Sequence, residues 1–236
     1  MRPKRILILQ LALLGACLFV VAQLALNFPF PSPLIRPYLP PHQRFPETQI
    51  KNWVESGTFD RDFLNFFARD PERTAPFGRN LVSPADGVVQ TTAFRDGITY
   101  FVVGLSFWDV HVVRTPVDGV VKSIEQEGFY LTRNAGKDEL REAIFLRGKA
   151  APVQQIVTLA TDYGDVKVRL ITSYWASRLK VWVYEGQKLA KGERIGRILL
   201  GSTVVAEIPG KPDLAVKQTQ RVVGGETIIL DQRPSP

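Results

Sequence analysis

The chain opens with a run of apolar residues unlike anything that follows it. Residues 6–26 contain no charged side chain, and a helix of this length covers roughly 30 Å, the thickness of a bilayer core. Three basic residues precede the run, as in a signal sequence or signal-anchor. We predict an uncleaved membrane anchor over residues 1–27. A cleaved or lipoprotein-type signal near Cys17 and a buried core helix are the alternatives.

Proline dominates the segment after the anchor. Seven prolines lie between residues 29 and 46, and such a composition favours extended polyproline geometry. The pattern predicts a stiff linker over residues 28–50 that lifts a domain off the membrane. His42, which lies inside this segment, is expected to be a solvated linker residue.

Aromatic residues then recur at helical spacing over residues 53–70. Thr58 and Asp60 are candidate N-caps, and Pro71 follows the end of the pattern. The amphipathic helix predicted here either packs its aromatic side against a core or inserts that side into a lipid interface.

From residue 80 onward the pattern changes to short runs of Val, Ile and aromatic residues separated by Gly, Asp and Pro. These runs predict strands over residues 87–91, 98–103, 110–113, 119–124, 156–161, 166–171 and 179–183. Residues 162–165 predict a hairpin turn, and the polar segment 134–142 is either one helical turn or a loop. The sequence therefore predicts one mostly β domain over residues 51–236.

Internal repeats narrow the choice of β fold. The heptapeptide Ser-Pro-Ala-Asp-Gly-Val-Val at 83–89 recurs as Thr-Pro-Val-Asp-Gly-Val-Val at 115–121. Glycine-containing turns at 186–195 are echoed at 222–228. Paired turns of this kind resemble the biotinyl/lipoyl-like barrel-sandwich hybrid fold, in which glycines allow two interlocking hammerheads to turn tightly. We predict that fold class.

Composition and charge restrict the possible partners. The 236 residues are 45% hydrophobic and 22% charged, as in an average globular protein, and the net charge is +7. That charge favours an anionic partner: a phospholipid surface, a nucleic acid or an acidic substrate. One cysteine and two histidines exclude an intramolecular disulfide and argue against a metal site built on these residues.

Three positions are candidates for chemistry. Ser202 follows Gly201 directly after a β-type run, and its hydroxyl could attack the Gly201 carbonyl to replace the amide by an ester. Elimination and hydrolysis would then leave a pyruvoyl group on a new N-terminus. His111 has a side chain suited to proton transfer at neutral pH, and Asp86 lies in the first repeated turn. Taken singly, each has an ordinary structural explanation: a turn, a strand histidine and a turn former.

Together with their neighbours, these positions form an ordered set of motifs. The set consists of Arg-Asp-Pro-Glu-Arg at 69–73, Ser-Pro-Ala-Asp-Gly at 83–87, Trp-Asp-Val-His-Val-Val-Arg at 108–114, Gly-Glu-Arg-Ile-Gly at 192–196 and Leu-Gly-Ser-Thr at 200–203. From about residue 66 to the C-terminus, the chain resembles the phosphatidylserine decarboxylase proenzymes of the shorter branch that includes archaeal-type members.

The resemblance implies a self-processing enzyme. Cleavage between Gly201 and Ser202 would give a β chain (1–201) and an associated α chain (202–236) that begins with a pyruvoyl group made from Ser202. Its carbonyl would form a Schiff base with the amine of phosphatidylserine, and loss of CO2 and hydrolysis would release phosphatidylethanolamine. The implied partners are an anionic phospholipid membrane and the lipid substrate, with no nucleic acid, and a homodimer is one possible assembly.

The resemblance also assigns roles by position. Ser202 is the nucleophile and prosthetic-group precursor, Asp86 matches the acidic residue of the family's maturation triad, and His111 matches the first histidine of its Asp-x-His motif. Longer members carry a second histidine where this chain has Arg114, which cannot act as a base. Either His111 serves both maturation and decarboxylation, or another group is the base for cleavage. We predict Arg114 and Thr203 as substrate-binding residues.

Several alternatives stay open on the sequence. An uncleaved, inactive lipid-binding homologue would share the motifs, and a membrane-anchored efflux adaptor would share an anchor and a barrel-sandwich domain. The adaptor reading lacks a long heptad hairpin, and a lipoyl or biotin carrier lacks the Met-Lys-Met turn because Met1 is the only methionine. The substrate could be phosphatidylserine, an ether-linked archaeal analogue or another aminoacyl lipid. We expect a single N-terminal span in the cell membrane. Flanking charges favour a catalytic domain outside the cytoplasm, whereas the site of phosphatidylserine synthesis favours the inner face.

Overall fold

The structure is a computed structural model that describes residues 3–27, 34–127, 153–172, 178–199 and 202–231. The chain divides into two compact units, Met1–Phe63 and Leu64–Pro236. The predicted polar segment 134–142 lies outside the described residues.

The first unit begins with one long helix, α1 (Pro3–Asn27). Its segment Lys4–Ala22 has a mean hydropathy of 2.4 and is long and apolar enough to cross a membrane. A signal sequence at the same position would meet the same criteria. The helical prediction is confirmed, and membrane insertion is supported by length and composition alone.

The proline-rich segment folds differently from the prediction. It contains a 3-10 turn (Arg36–Tyr38), helix α2 (Pro41–Arg44) and the start of helix α3 (Glu47–Ser56). The extended linker predicted for residues 28–50 is therefore wrong where these helices occur. Proline is well tolerated in the first helical turn, where its missing N–H has no intrahelical partner. His42 is exposed, as predicted.

The helix predicted over residues 53–70 is divided in two. Helix α3 ends at Ser56, Gly57 adopts a left-handed φ of 71°, and α4 (Arg61–Phe67) follows. Asp60, one of the two predicted N-caps, caps α4, because its Oδ1 accepts the Phe63 N–H at 3.0 Å. A glycine that readily takes a positive φ is a common helix end, which accounts for the break.

The aromatic residues of this region pack into cores. Phe63 is buried and its ring lies 5.3 Å from those of Phe45 and Trp53. Phe67, which belongs to the second unit, is also buried. For these two positions, core packing is the correct alternative to insertion in a lipid interface.

The second unit is built almost entirely of strands. The described strands are β1 (Asn80–Val82), β2 (Gly87–Arg95), β3 (Ile98–Leu105), β4 (Val112–Arg114), β5 (Gly119–Glu127), β6 (Gln154–Thr161), β7 (Gly164–Thr172), β8 (Arg178–Val181), β9 (Lys188–Leu189), β10 (Arg194–Leu199), β11 (Ser202–Pro209), β12 (Arg221–Val222) and β13 (Ile228–Asp231). They form sheets of order β1-β13, β4-β10-β8 and β12-β2-β3-β11-β7-β6-β5-β9. The eight-stranded sheet is curled into a half-barrel, and its pairings are antiparallel.

The seven predicted strand runs correspond to β2 through β8, so that part of the prediction is confirmed. The turn before Gly164, which has a φ of 90°, joins β6 to β7 as predicted. Buried and partly exposed positions alternate in β3, where Phe101, Val103 and Leu105 are buried in the core that all three sheets share. Burial of each large aliphatic side chain contributes about 1.5–3 kcal/mol.

The repeated heptapeptides adopt matching turns. The Ser83 hydroxyl donates to the Ala85 carbonyl at 2.8 Å, and the Thr115 hydroxyl donates to the Val117 carbonyl at 2.6 Å. Each turn leads into a long strand that pairs with a two-residue strand, β2 with β12 and β5 with β9. The sequence repeat is therefore also a structural repeat.

The aspartates of the two turns are equivalent as well. Asp86 Oδ1 accepts the Gly224 N–H at 2.8 Å, and Asp118 Oδ1 accepts the Lys191 N–H at 2.7 Å. One oxygen of each carboxylate thus fixes the turn to the segment carrying the partner strand. The other oxygen of Asp86 has a different environment.

Candidate active site

Two connections between the eight-stranded sheet and the three-stranded sheet begin and end beside each other. Strand β3 belongs to the eight-stranded sheet and β4 to the three-stranded sheet, so the chain crosses between them over residues 106–111. It crosses back between β10 and β11, where the Gly201–Ser202 bond lies. Because β3 pairs with β11 and β4 pairs with β10, the ends of these two connections are neighbours.

Ser202 is the first residue of β11. Its Cα lies opposite Leu105 on one side and Thr172 on the other. On the other side of the crossing, the Ile198 N–H donates to the His111 carbonyl at 3.1 Å. Gly201 lies outside the described residues. The two segments that flank the predicted cleavage site are therefore both held against the segment that begins after Leu105 and ends at His111.

His111 is fully buried and its ring is held in one orientation. Its Nδ1 lies 2.9 Å from the Asp109 carbonyl oxygen. A carbonyl oxygen only accepts hydrogen bonds, so Nδ1 carries a proton and the lone pair of the neutral ring is on Nε2. The Phe67 ring lies against the imidazole at a centroid distance of 4.1 Å.

Burial controls the protonation of His111. It lowers the pKa of the imidazole from 6.5 to about 4, although the hydrogen bond to the Asp109 carbonyl and the Asp109 charge oppose this. The positive charges of Arg69 and Arg197 lower the pKa further. The ring is therefore neutral at physiological pH, which is the state required of a general base.

Asp86 is held by two partners of different kinds. Its Oδ2 accepts from Arg73 at 3.0 Å, while Oδ1 accepts the Gly224 N–H. Arg73 also donates to Glu226 at 3.2 Å. Asp118, which is the counterpart of Asp86 in the second turn, is exposed, whereas the Asp86 side chain is only 16% exposed. Within the part of the chain that the structure describes, the second repeated turn therefore has no counterpart of the largely buried Arg73–Asp86 ion pair.

Asp86 and His111 belong to one electrostatic cluster. Burial raises the pKa of Asp86, while the Gly224 N–H and the Arg73 guanidinium act in the opposite direction. The charges of Asp109 and Arg69 influence the pKa of Asp86 as well as that of His111. Asp86 is bound to Arg73 and Gly224 rather than to the imidazole, so the two groups are positioned separately.

Asp86 also lies at the same sheet edge as Ser202. It directly precedes β2, in which Val88 pairs with Gly104, and Gly104 pairs with Thr203. Neighbouring strands are about 4.8 Å apart, so the start of β2 is on the order of 10 Å from the start of β11. Gly87 permits this approach, because a Cβ there would lie 2.3 Å from the Gly104 carbonyl oxygen.

Asp109 anchors the connection that carries His111. Its Oδ2 accepts the Ser106 N–H at 2.7 Å and the Ser106 hydroxyl at 2.6 Å. Its Oδ1 accepts from Arg221 of β12, the strand that pairs with β2. This buried carboxylate holds the connection to itself and to β12, so the position of the imidazole does not depend on the pairing of β4 alone.

Arg114 has a different environment from the other predicted site residues. Its guanidinium is 4% exposed and donates to Asp70 at 3.0 Å, to the Pro71 carbonyl at 2.9 Å and to the Gly192 carbonyl at 3.0 Å. Asp70 also accepts from Arg194 at 2.7 Å. These contacts favour a structural role for Arg114, and its predicted contact with substrate stays a prediction.

The roles of residues 69–73 could not be assigned from the sequence. The Arg-Asp-Pro-Glu-Arg motif binds Asp86 through Arg73, Arg114 through Asp70, and the Trp108 carbonyl through Arg69. These contacts join parts of the site that are distant in the sequence, and we call residues 69–73 the strap. In the sequence, the only indication was a cluster of charged residues around a proline, and such a cluster does not indicate which residues it contacts.

Comparison with known proteins identifies the family of the chain. A family model described as phosphatidylserine decarboxylase matches residues 61–230, which include Asp86, His111 and Ser202. The chain belongs to the phosphatidylserine decarboxylase family. The motif-based prediction of family is thus confirmed.

Relatives of this decarboxylase occur in bacteria and archaea. A phosphatidylserine decarboxylase proenzyme of Solibacter usitatus is 34% identical over 168 residues, 71% of this chain and 78% of the relative. One from Streptomyces avermitilis is 34% identical over 167 residues, 70% of this chain and 72% of the relative. A provisionally named archaetidylserine decarboxylase proenzyme of Methanococcoides burtonii is 32% identical over 173 residues, 72% and 76% of the two chains. Membership of this self-processing family makes the chain a carboxy-lyase and disfavours the adaptor and carrier alternatives.

Proposed function

We propose that this chain cleaves itself between Gly201 and Ser202 and then decarboxylates phosphatidylserine to phosphatidylethanolamine. The observation that carries the proposal is the register. It brings the start of β11 beside the connection that holds His111, within a cluster that includes Asp86. Family membership supports the reaction class, and the buried ion pairs support a site that is organised before substrate binds.

The residues at the start of β11 fit the formation of a pyruvoyl group. A serine preceded by glycine at a crossing between two sheets combines a hydroxyl nucleophile with a residue that accepts strained backbone geometry. When present, a pyruvoyl group supplies a ketone carbonyl that takes up the substrate amine and accepts the electron pair released when CO2 departs.

The self-cleavage step uses only groups of this chain and water. The Ser202 oxygen bonds to the Gly201 carbonyl carbon as the C–N bond breaks, so an ester replaces the amide and the proton of the Ser202 hydroxyl passes to the released amine nitrogen. Loss of the Ser202 Cα hydrogen then breaks the bond between its Cβ and Oγ, which leaves a carboxylate on Gly201. Water hydrolyses the resulting enamine through its imine form, and ammonia leaves.

In this proposal, His111 and Asp86 move protons at separate points. The neutral imidazole takes a proton at Nε2, because its Nδ1 proton is committed to the Asp109 carbonyl. Arg73 and the Gly224 N–H favour the charged form of Asp86 against the effect of burial, and in that form Asp86 supplies negative charge and a second acceptor at the same edge. One histidine can then serve both maturation and decarboxylation, with Arg114 remaining in its structural contacts.

The fold explains why the two products of cleavage would stay associated. Strand β11, the first of the α chain, is hydrogen-bonded to β3 on one side and β7 on the other. Strands β12 and β13 pair with β2 and β1 of the β chain. The paired hammerhead-like turns support a barrel-sandwich hybrid domain, and α1 supports a single span in the cell membrane that places the domain near its lipid substrate. A homodimer is compatible with this arrangement.

The experiment that tests this function measures conversion of phosphatidylserine to phosphatidylethanolamine by the purified full-length protein in mixed micelles. We expect turnover by the wild-type protein and none by S202A, which lacks the hydroxyl. Phosphatidylserine and its ether-linked archaeal analogue are compared at equal mole fraction to identify the preferred lipid. Turnover by S202A at the wild-type rate, or turnover of neither lipid by processed protein, would contradict the proposal.

A further inference from the structure

The edge strand of the three-stranded sheet carries an unusual outer face. In β8 and the residues after it, Leu179, Val181 and Val183 pack toward the core. The alternate positions Lys180, Trp182 and Tyr184 are exposed, with 37% of Trp182 and 68% of Tyr184 accessible to solvent. Two exposed aromatic side chains on one face, beside a lysine, cost free energy when that face contacts only water.

A second cation lies on the same face. Arg197 of β10 is the register partner of Lys180, and directly opposed residues of neighbouring strands point to the same side of a sheet. Its guanidinium lies 5.6 Å from the Trp182 ring centroid and donates to the Ala68 carbonyl at 2.8 Å. Neither partner neutralises its charge. Opposed like charges destabilise a sheet in isolation, so this arrangement suits an external negative charge.

This aromatic–basic face, formed by Lys180, Trp182, Tyr184 and Arg197, is next to the candidate active site. Arg197 precedes Ser202 by five positions in the sequence, so their Cα atoms are at most about 17 Å apart. The charge of Arg197 also acts on His111. A surface that binds lipid here would present head groups to the site while the acyl chains remain in the bilayer.

We propose that the aromatic–basic face is the surface by which the catalytic unit docks on an anionic phospholipid bilayer. Tryptophan and tyrosine settle at the level of the head groups because their rings are amphipathic. A basic residue close to an anionic membrane strengthens binding by about fivefold. The inference rests on the proposed function only in identifying phosphatidylserine as the lipid that is presented to the active site. The docking itself is independent of catalysis.

The kinetic test compares two forms of the substrate on the full-length protein reconstituted in vesicles. The variant K180S/W182S/Y184S removes the exposed side chains and leaves Arg197 in place. With long-chain phosphatidylserine in vesicles of phosphatidylcholine and phosphatidylglycerol, we expect its kcat/KM to fall about tenfold. With monomeric dihexanoyl phosphatidylserine, we expect kcat/KM within twofold of wild type, because that substrate does not need a docked enzyme.

A matched pair elsewhere on the catalytic unit provides the control. Lys211 lies 5.7 Å from the ring centroid of Phe94, which is 49% exposed. The variant F94S/K211S therefore removes an exposed cation–aromatic pair of the same kind and should leave both activities unchanged. Equal losses on both substrates for the β8 variant, no loss on vesicles, or an equal loss in the control would each overturn the proposal.

A second measurement does not depend on turnover. Bilayers containing phospholipid brominated near the head of the acyl chains quench tryptophan fluorescence at the interface. We expect W182F to lose part of the quenching seen in wild type, and F94W in the W182F background not to restore it. Unchanged quenching in W182F would refute docking through this face. Quenching with no turnover of either substrate would leave docking supported and refute the proposed function instead.

Discussion

At the scale of single residues, Asp118 in the second repeated turn provides a comparison for Asp86 in the first. Asp86 and Asp118 each accept one backbone N–H in equivalent turns, but among the described residues only Asp86 also binds an arginine, the largely buried Arg73. We predict that D86N slows self-cleavage at least 100-fold, because asparagine preserves the turn and removes the charge. The cleaved fraction is followed on denaturing gels after synthesis.

D118N is the matched control for this experiment, since it alters the same turn without altering the cluster. We expect it to cleave at the wild-type rate. Equal impairment of D86N and D118N would show that Asp86 acts only as a turn residue.

The burial of His111 predicts how the stability of the protein depends on pH. Its pKa is lowered from 6.5 to about 4 in the folded protein, so the unfolded state binds more protons between these values. Stability is therefore complete above about pH 6.5 and is lost as the pH falls toward 4, by on the order of 3 kcal/mol. Thermal unfolding of the detergent-solubilised protein from pH 7 to pH 4.5 measures this loss.

H111Q removes the titrating group, so its melting temperature should depend less on pH than that of the wild-type protein. The comparison concerns the slope with pH, because the substitution also changes packing against Phe67. Parallel slopes for the two proteins would contradict a buried neutral imidazole.

At the scale of elements, the strap formed by residues 69–73 joins segments that are distant in the sequence. Asp70 and the Pro71 carbonyl hold Arg114 at the end of β4, and Arg73 reaches Asp86 before β2. Removing one partner of a buried ion pair leaves an uncompensated charge, which is strongly destabilising. The strap therefore contributes to the shape of the site without supplying a reacting atom.

We predict that R114A destabilises the protein by about 3 kcal/mol, as expected for a broken buried pair. Chemical denaturation or thermal shift measures this change. The exposed pair Arg79–Asp162, in which both side chains are more than three-quarters exposed, is the control, and R79A should cost less than about 1 kcal/mol. If R114A kept wild-type stability but raised KM, Arg114 would be a substrate-binding residue as the sequence predicted.

The same scale shows where sequence patterns succeed. Strands β2 to β8 were predictable because each combines β-branched and aromatic residues with turn residues at both ends. The start of α4 was predictable from its N-cap, Asp60, whereas α3 was not recognised as a separate helix, since the aromatic spacing continues across Gly57. The proline-rich segment was predicted as extended because composition does not reveal that Pro41 begins a helix, or that Phe45 is buried.

At the scale of the whole molecule, the site depends on pairings that no local pattern contains. Ser202, His111 and Asp86 could be proposed from motifs that resemble a family. The segments that carry them, however, are brought together by two pairs of strands that cross between the same sheets. The contacts of Arg73 with Asp86 and Glu226 join residues separated by up to 153 positions. Long-range partners of this kind become visible only when the topology is known.

The intact mass of the purified full-length protein, combined with hydroxylamine labelling, tests the central claim most directly. We expect two polypeptides, residues 1–201 and residues 202–236, with a carbonyl-reactive group on the smaller one and no free amine at its N-terminus. S202A should give a single unlabelled chain. A single uncleaved wild-type chain from a membrane-containing preparation, or a small fragment that begins with an unmodified serine, would contradict the account.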